Sequence, residues 1–172
     1  LDSMKSDLQK QTFTRDEYKK YIFGSADAVG LMCLKVFVDG DDKQYQALKE
    51  YAMRLGSAFQ KVNFLRDLRA DTQELHRIYF PALKDKPLDP AIKQELISEI
   101  EEDFRVALTG IKKLPGKAKL GVYTAYAYYR SLLHRIERTA PEKLVRKRIR
   151  ISNFKKMVLA IQTTMVCKLK LI

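Results

Sequence analysis

The sequence predicts an all-α protein. Apolar residues recur at steps of three and four along the chain, no window sustains the period-two alternation of a half-buried strand, and helix start and stop signals divide it. Thr14-Arg15-Asp16-Glu17 is a capping-box signature that opens a helix running towards Val38. Asp39-Gly40-Asp41-Asp42 has the turn chemistry to end it. A long helix follows from about Lys43 through Asp71. Tyr79 to Pro87 reads as a loop, and Asp89-Pro90 then places a capping side chain before a first-turn proline. The helix begun there should end near Gly110, with Leu114-Pro115-Gly116 as the next break. Lys119 to about Arg138 is helical, Pro141 interrupts, and Glu142 to Lys170 reads as a last helix. These spans assemble into a bundle of about five or six helices.

Composition agrees. A chain of 172 residues with 46% hydrophobic and 31% charged side chains can bury a core, which excludes the disordered and collagen-like classes. Cys33 and Cys167 sit inside apolar helical patterns, so two buried free thiols are expected and no disulfide framework or zinc site. No stretch reaches the roughly eighteen apolar residues that span a membrane. No signal peptide is visible, and the expected location is cytoplasmic, with peripheral membrane contact open.

Charge is uneven. Of a net charge of +12, Pro141 to Ile172 holds nine Lys/Arg against the single acid Glu142. Such a segment suits the solvated outer face of a core helix with Ile149, Ile151, Phe154, Met157, Val158, Ile161 and Met165 inside. It also suits an anionic membrane surface. Nucleic acid is not expected as a partner, because no helix-turn-helix, zinc-finger or RNA-binding motif accompanies the charge.

The chemistry concentrates between Leu55 and Pro81. Gln60, Asn63, Asp67 and Asp71 follow one another at steps of three, four and four, a single stripe on a helix. Val62, Phe64, Leu65 and Leu68 hold that helix in a core. Two carboxylates preceded by two amides form an oxygen-rich row, suited to a hard divalent cation that bridges to a phosphate-bearing substrate. Asp67, Asp71 and Asn63 are the candidate metal ligands, and Arg66 and Arg77 could meet phosphate oxygens with a guanidinium fork. The alternative is a solvated face on which Asp67 pairs with Arg66 or Arg69 for little energy.

These residues carry a resemblance. Leu55-Gly56-x-x-x-Gln60-x-x-Asn63-Phe64-x-Arg66-Asp67-Leu68-x-x-Asp71, followed by Arg77-x-Tyr79-x-Pro81, resembles the second aspartate-rich motif of the squalene/phytoene synthase family. Tyr21-x-x-Gly24-Ser25-Ala26-x-Ala28-Val29-Gly30-Leu31-Met32 resembles the family's other signature, with Asp27 where a small residue is usual. The runs after Tyr129 and Arg148 resemble its C-terminal helices more loosely. The resemblance implies an isoprenoid-synthase-like helical bundle, with residues 1–172 forming the C-terminal part of one such domain. It also implies a first aspartate-rich motif on an earlier helix. No such run precedes Tyr21, and Leu1, Met4 and Leu8 open the chain in mid-helix pattern, so a longer parent protein, incomplete here at its N-terminus, is expected.

The resemblance further implies a reaction, the head-to-head condensation of two prenyl diphosphates to a phytoene- or squalene-type product with Mg²⁺. Asp67, Asp71 and Tyr21 are then the catalytic candidates. Gln60, Asn63, Arg66, Arg77, Tyr129 and Arg148 are the substrate-binding ones, for farnesyl or geranylgeranyl diphosphate. The alternative is a non-catalytic helical fragment that binds metal–diphosphate weakly. In either case an apolar face around Val29, Leu31, Phe59 and Val62 should be left uncovered, and the chain alone should be inactive and self-associated or joined to its missing N-terminal half. Two features stay open. Tyr123, Tyr126 and Tyr129 are core or a cation-stabilising wall, and Gly24, Ala26, Ala28 and Gly30 allow close helix packing or room for an isoprenoid tail. His76 and His134 read as surface residues.

Overall fold

Thr14 closes the capping box that its sequence predicts. Its Oγ1 accepts from the Glu17 amide at 3.4 Å, and the Glu17 carboxylate accepts from the Thr14 amide at 2.9 Å. Helix α1 (Arg15–Ile22) starts there in a computed structural model that describes residues 11–169, 171 and 172. The readings on Leu1, Met4 and Leu8 lie outside the described residues.

The helix expected to reach Val38 is interrupted. Phe23–Asp27 forms a π-helical turn before α2 (Ala28–Phe37), and this wider turn carries Asp27 into the interior. Asp39 and Gly40 reverse the chain at φ 51° and 78°, and the Asp41 carboxylate then accepts from the Lys43 and Gln44 amides. So begins α3 (Asp42–Arg69), 28 residues long, which passes into a second π-helical turn, Ala70–Glu74. After a 3₁₀ turn, Pro81–Leu83, Asp89 caps α4 (Pro90–Lys113), which runs past its expected end near Gly110. Then follow α5 (Gly116–Glu137), a short α6 (Pro141–Leu144) and α7 (Asn153–Lys168). Among the described residues there is no strand, only an isolated bridge between Thr12 and Ile78.

Helix α3 is the axis of the bundle, packing on α2, α4, α5 and α6. Val62, Phe64, Leu65 and Leu68 on it meet Ile97, Ile100 and Phe104 of α4 and Leu132, Leu133 and Ile136 of α5 in one buried cluster. Each such side chain contributes about 1.5–3 kcal/mol on burial. Gly30 and Gly56 bring the backbones of α2 and α3 together, and both also border a cavity between α2, α3, α4 and α5. A Cβ on Gly56 would lie 2.7 Å from the Ala26 carbonyl oxygen, and one on Gly30 would lie 2.7 Å from that of Ala52. The backbones of α2 and α3 touch there.

A charged network crosses the interface of α3 with α4. Asp103, 1% exposed on α4, accepts from Lys61 Nζ and Arg54 Nη1, both at 2.7 Å, and Lys61 also pairs with Glu99. Nearby, the Tyr18 hydroxyl is buried with no hydrogen-bond partner among the described residues, and burial pushes its phenol upward.

Asp27 accepts from Ser57 Oγ at 2.8 Å, yet burial raises its carboxyl above the usual range. A carboxyl raised on folding contributes stability that is complete below its unfolded value and is lost as pH rises through the folded one. Asp27→Asn, which can keep the Ser57 bond, is therefore expected to melt higher than the parent at pH 7. The gap should close as pH falls towards 4, checked by thermal melts across that range.

Several further expectations fail. The span from Glu142 to Lys170 is not one helix, because residues 145–152 run without helical structure between α6 and α7. Arg148-Ile149-Arg150-Ile151 alternates in this stretch, the two isoleucines buried and the two arginines exposed, which is the period of extended chain. Ser152 then caps α7 afresh, accepting from the Lys155 amide at 3.3 Å. Phe154, Met157, Ile161 and Met165, expected inside, are exposed, as is Cys33, while Cys167 is half-buried. Val62, expected on an uncovered face, is fully buried, whereas Val29 is exposed.

Candidate active site

The stripe on α3 divides in two. Towards the N-terminus of α3, an apolar cavity of about 500 Å³ opens between α2, α3, α4 and α5. Its walls include Val29, Leu34, Leu48, Leu55, Phe59 and Val122, and Gln60 and Ser25 are among its few polar side chains. Towards the C-terminus, the same broad face of α3 carries Asn63, Arg66 and Asp67.

Tyr129 of α5 joins the halves. Its ring stacks on Phe59 at 4.0 Å between centroids, and its hydroxyl donates to Asn63 Oδ1 at 3.3 Å. Phe59 belongs to the cavity wall and Asn63 to the polar row. One tyrosine therefore touches both. Tyr123 and Tyr126 are half-buried packing residues, stacked at 5.9 Å, with Tyr126 edge-on to Phe104.

Asp67 is the electrostatic centre. Arg66 Nη2 lies 2.5 Å from Oδ2, and Arg148 Nε lies 2.6 Å from Oδ1. The bond to Asp67 holds the Arg66 guanidinium above its ordinary range. The irregular segment after α6 delivers Arg148, because Ile149 and Ile151 anchor in the core and Gln73 Nε2 donates to the Val145 carbonyl at 2.9 Å. The alternative pairing of Asp67 with Arg66 is thus realised, at a half-buried site, together with a second guanidinium.

Asp71 lies one turn on, half-buried, within the π-helical turn rather than on the α-helix proper. Its carbonyl accepts from the Arg77 amide at 2.6 Å, which folds Arg77 back beside the end of the stripe. Tyr21 is elsewhere. It is buried in an aromatic cluster with Phe13, Phe64 and Tyr79, and it is not among the cavity-lining residues. His76 and His134 are exposed, as expected.

The donor set consists of hard oxygens, the kind that Mg²⁺ takes. Among the described residues, however, no three acidic, histidine or cysteine side chains gather into a metal cluster. The row is thus one-sided among the described residues, with both Asp67 oxygens engaged by Arg66 and Arg148.

Sequence reasoning missed the Asp103 network and the role of Phe59. The first had a signal: Asp103 sits between Ile100, Phe104 and Ala107 on the apolar face of its helix, where a carboxylate requires a partner. The second had none, since nothing local pairs Phe59 with Tyr129.

Residues 1–155 match the family model of squalene/phytoene synthase. The chain is 29% identical to the phytoene synthase of Arthrospira platensis, over 92% of this chain and 59% of that protein. It is 28% identical to the bifunctional lycopene cyclase/phytoene synthase of Blakeslea trispora, over 83% and 27% respectively. To the chloroplastic phytoene synthase of an Oncidium hybrid cultivar it is 27% identical, over 92% and 42%. The chain thus spans well under two thirds of the length of these curated relatives. With nine-tenths of its residues inside the family model, the chain belongs to the squalene/phytoene synthase family.

Proposed function

We propose that this chain supplies one side of a site for head-to-head condensation of two prenyl diphosphates, as part of a longer enzyme that makes a phytoene- or squalene-type hydrocarbon. The observation that carries the reading is the order of surfaces along α3: Phe59 and Gln60 line an apolar cavity of about 500 Å³, and Tyr129, stacked on Phe59, bonds Asn63 in the polar row that continues to Asp67. A substrate with an anionic head and an apolar tail matches that sequence of surfaces.

Asp67 and Asp71, with Asn63 or Gln60 beside them, would hold Mg²⁺. Bound there, the cation would neutralise charge on the departing diphosphate. Arg66 and Arg148 already share Asp67 as acceptor, so a diphosphate docked at the row meets both guanidinium groups. Arg77 closes the end of the row. Phe59, which lines the cavity beside Gln60, would face the point where the tail meets the head and could help stabilise an allylic cation and keep water out, with Tyr129 stacked behind it. Tyr21 acts through Phe64, whose ring it packs against, by fixing the neighbouring turn of α3.

A non-catalytic helical module that binds metal–diphosphate is the second reading, favoured by one aspartate row being present among the described residues. One experiment separates the two. The chain is assayed alone and fused behind the N-terminal portion of the Arthrospira relative, with Mg²⁺ and farnesyl or geranylgeranyl diphosphate, and hydrocarbon product is extracted. The expected result is Mg²⁺-dependent binding by the chain alone and product from the fusion only. Binding without product in a folded fusion favours the module, and absence of Mg²⁺-dependent binding ends both readings.

A further inference from the structure

On a different face of α3 from the polar row lies a second pocket, of about 590 Å³, between α1, α3 and α4. It shares no lining residue with the apolar cavity. Ser57 and Lys61 of α3 face this pocket, whereas Phe59 and Gln60 face the cavity. A pocket of this size takes a small metabolite.

Arg15, Tyr18, Lys19 and Ile22, at steps of three, one and three, give the pocket one face of α1. Tyr18 is 7% exposed, its ring held against Phe64 and Phe80. Its hydroxyl has no hydrogen-bond partner among the described residues. A buried hydroxyl left unpaired is costly, so this one calls for an acceptor in the pocket it lines.

The charges around it select that acceptor. Arg15 and Lys19 are exposed on the same face of α1 and make no ion pair among the described residues. The acids near them are engaged. Glu99 pairs with Lys61, and Asp103 behind it takes both Lys61 and Arg54. Asp27 takes the Ser57 hydroxyl, and burial raises its carboxyl. A cationic ligand would therefore meet two unengaged cations. An ordered water would satisfy the hydroxyl and leave both cations without a partner. A tetrahedral oxyanion takes all three.

We propose that this pocket binds a small phosphate monoester, with one phosphate oxygen accepting from the Tyr18 hydroxyl and the others meeting the Arg15 guanidinium and the Lys19 ammonium.

The probe is glycerol 3-phosphate, titrated into the nitrogen-15-labelled 172-residue chain at constant ionic strength without Mg²⁺. Amide resonances should move along α1 and around Ser57 and Glu99. Tyr18→Phe keeps the ring and removes the hydroxyl. It should weaken binding by about tenfold, the effect of losing one hydrogen bond to a charged group, while its ligand-free melting temperature stays at or above that of the parent. Arg15→Gln/Lys19→Gln changes two exposed side chains, so it should fold as the parent does, and it should weaken binding by about tenfold or more. Arg148→Ala, in the polar row, should leave it unchanged. Four results would overturn the proposal: no saturable binding, shifts confined to the polar row around Asp67, binding of malonate in place of the phosphate ester, or equal affinity in Tyr18→Phe, which would assign the hydroxyl to a water. No prenyl diphosphate is present, so the outcome is independent of the reaction proposed above.

Discussion

Asp103→Ala is expected to destabilise the bundle by about 3–5 kcal/mol, the cost of removing one partner from a buried ion pair. Asp103 is 1% exposed and accepts from both Lys61 and Arg54 at 2.7 Å. Arg54 can recover its hydration, since nearly half its side chain faces water. Lys61 cannot, being 7% exposed and left with Glu99 alone. The cost therefore falls on one ammonium group held between α3 and α4. Replacing both members, Lys61→Met with Asp103→Leu, should restore most of the loss, because no uncompensated charge then remains. Urea unfolding midpoints of the parent and the two variants check this. An alanine variant within about 1 kcal/mol of the parent would mean that the pair behaves as an exposed one.

The second large effect is on chemistry. In the fusion described above, Asp67→Ala is expected to lower condensation by about a hundredfold to a thousandfold, a loss typical of removing one group that stabilises transition-state charge. Stability should change little, because the pairs of Asp67 with Arg66 and Arg148 are partly solvated and each is worth about 1 kcal/mol or less. Arg148→Ala separates the possible roles of Asp67. It breaks the ion pair while leaving the carboxylate for Mg²⁺, so it should weaken diphosphate binding and raise KM more than it lowers kcat. Turnover at limiting Mg²⁺ is the measurement. Near-normal turnover in Asp67→Ala would remove it as a metal ligand.

Features set by near neighbours were legible before the fold. The box at Thr14 and Glu17, the turn at Asp39 and Gly40 and the cap at Asp89 each depend on side chains that reach backbone a few residues away. The row from Gln60 to Asp67 is legible for the same reason, as helical spacing alone puts these residues on one face. Asp71 was placed less well, because the α-helix gives way to a π-helical turn before it, and no spacing rule announces that. Arg148-Ile149-Arg150-Ile151 was misread as helix because four residues of alternation are easily absorbed into a helical pattern. Only the burial of both isoleucines selects extended chain.

By itself, the sequence determined the all-α class, the order of helices, the polar stripe on the longest of them and the resemblance that places the chain in its family. All of these rest on periodicity and short-range chemistry. The tertiary structure decided what the stripe faces. It set Asp67 between two guanidinium groups, one of them 81 residues away. It stacked Tyr129 on Phe59 and put an apolar cavity at the end of the row. It also turned one apolar side of α7 inward and left the other in water. Contacts between distant segments arise from how amphipathic helices share a limited core, and that competition is settled only when every helix is in place.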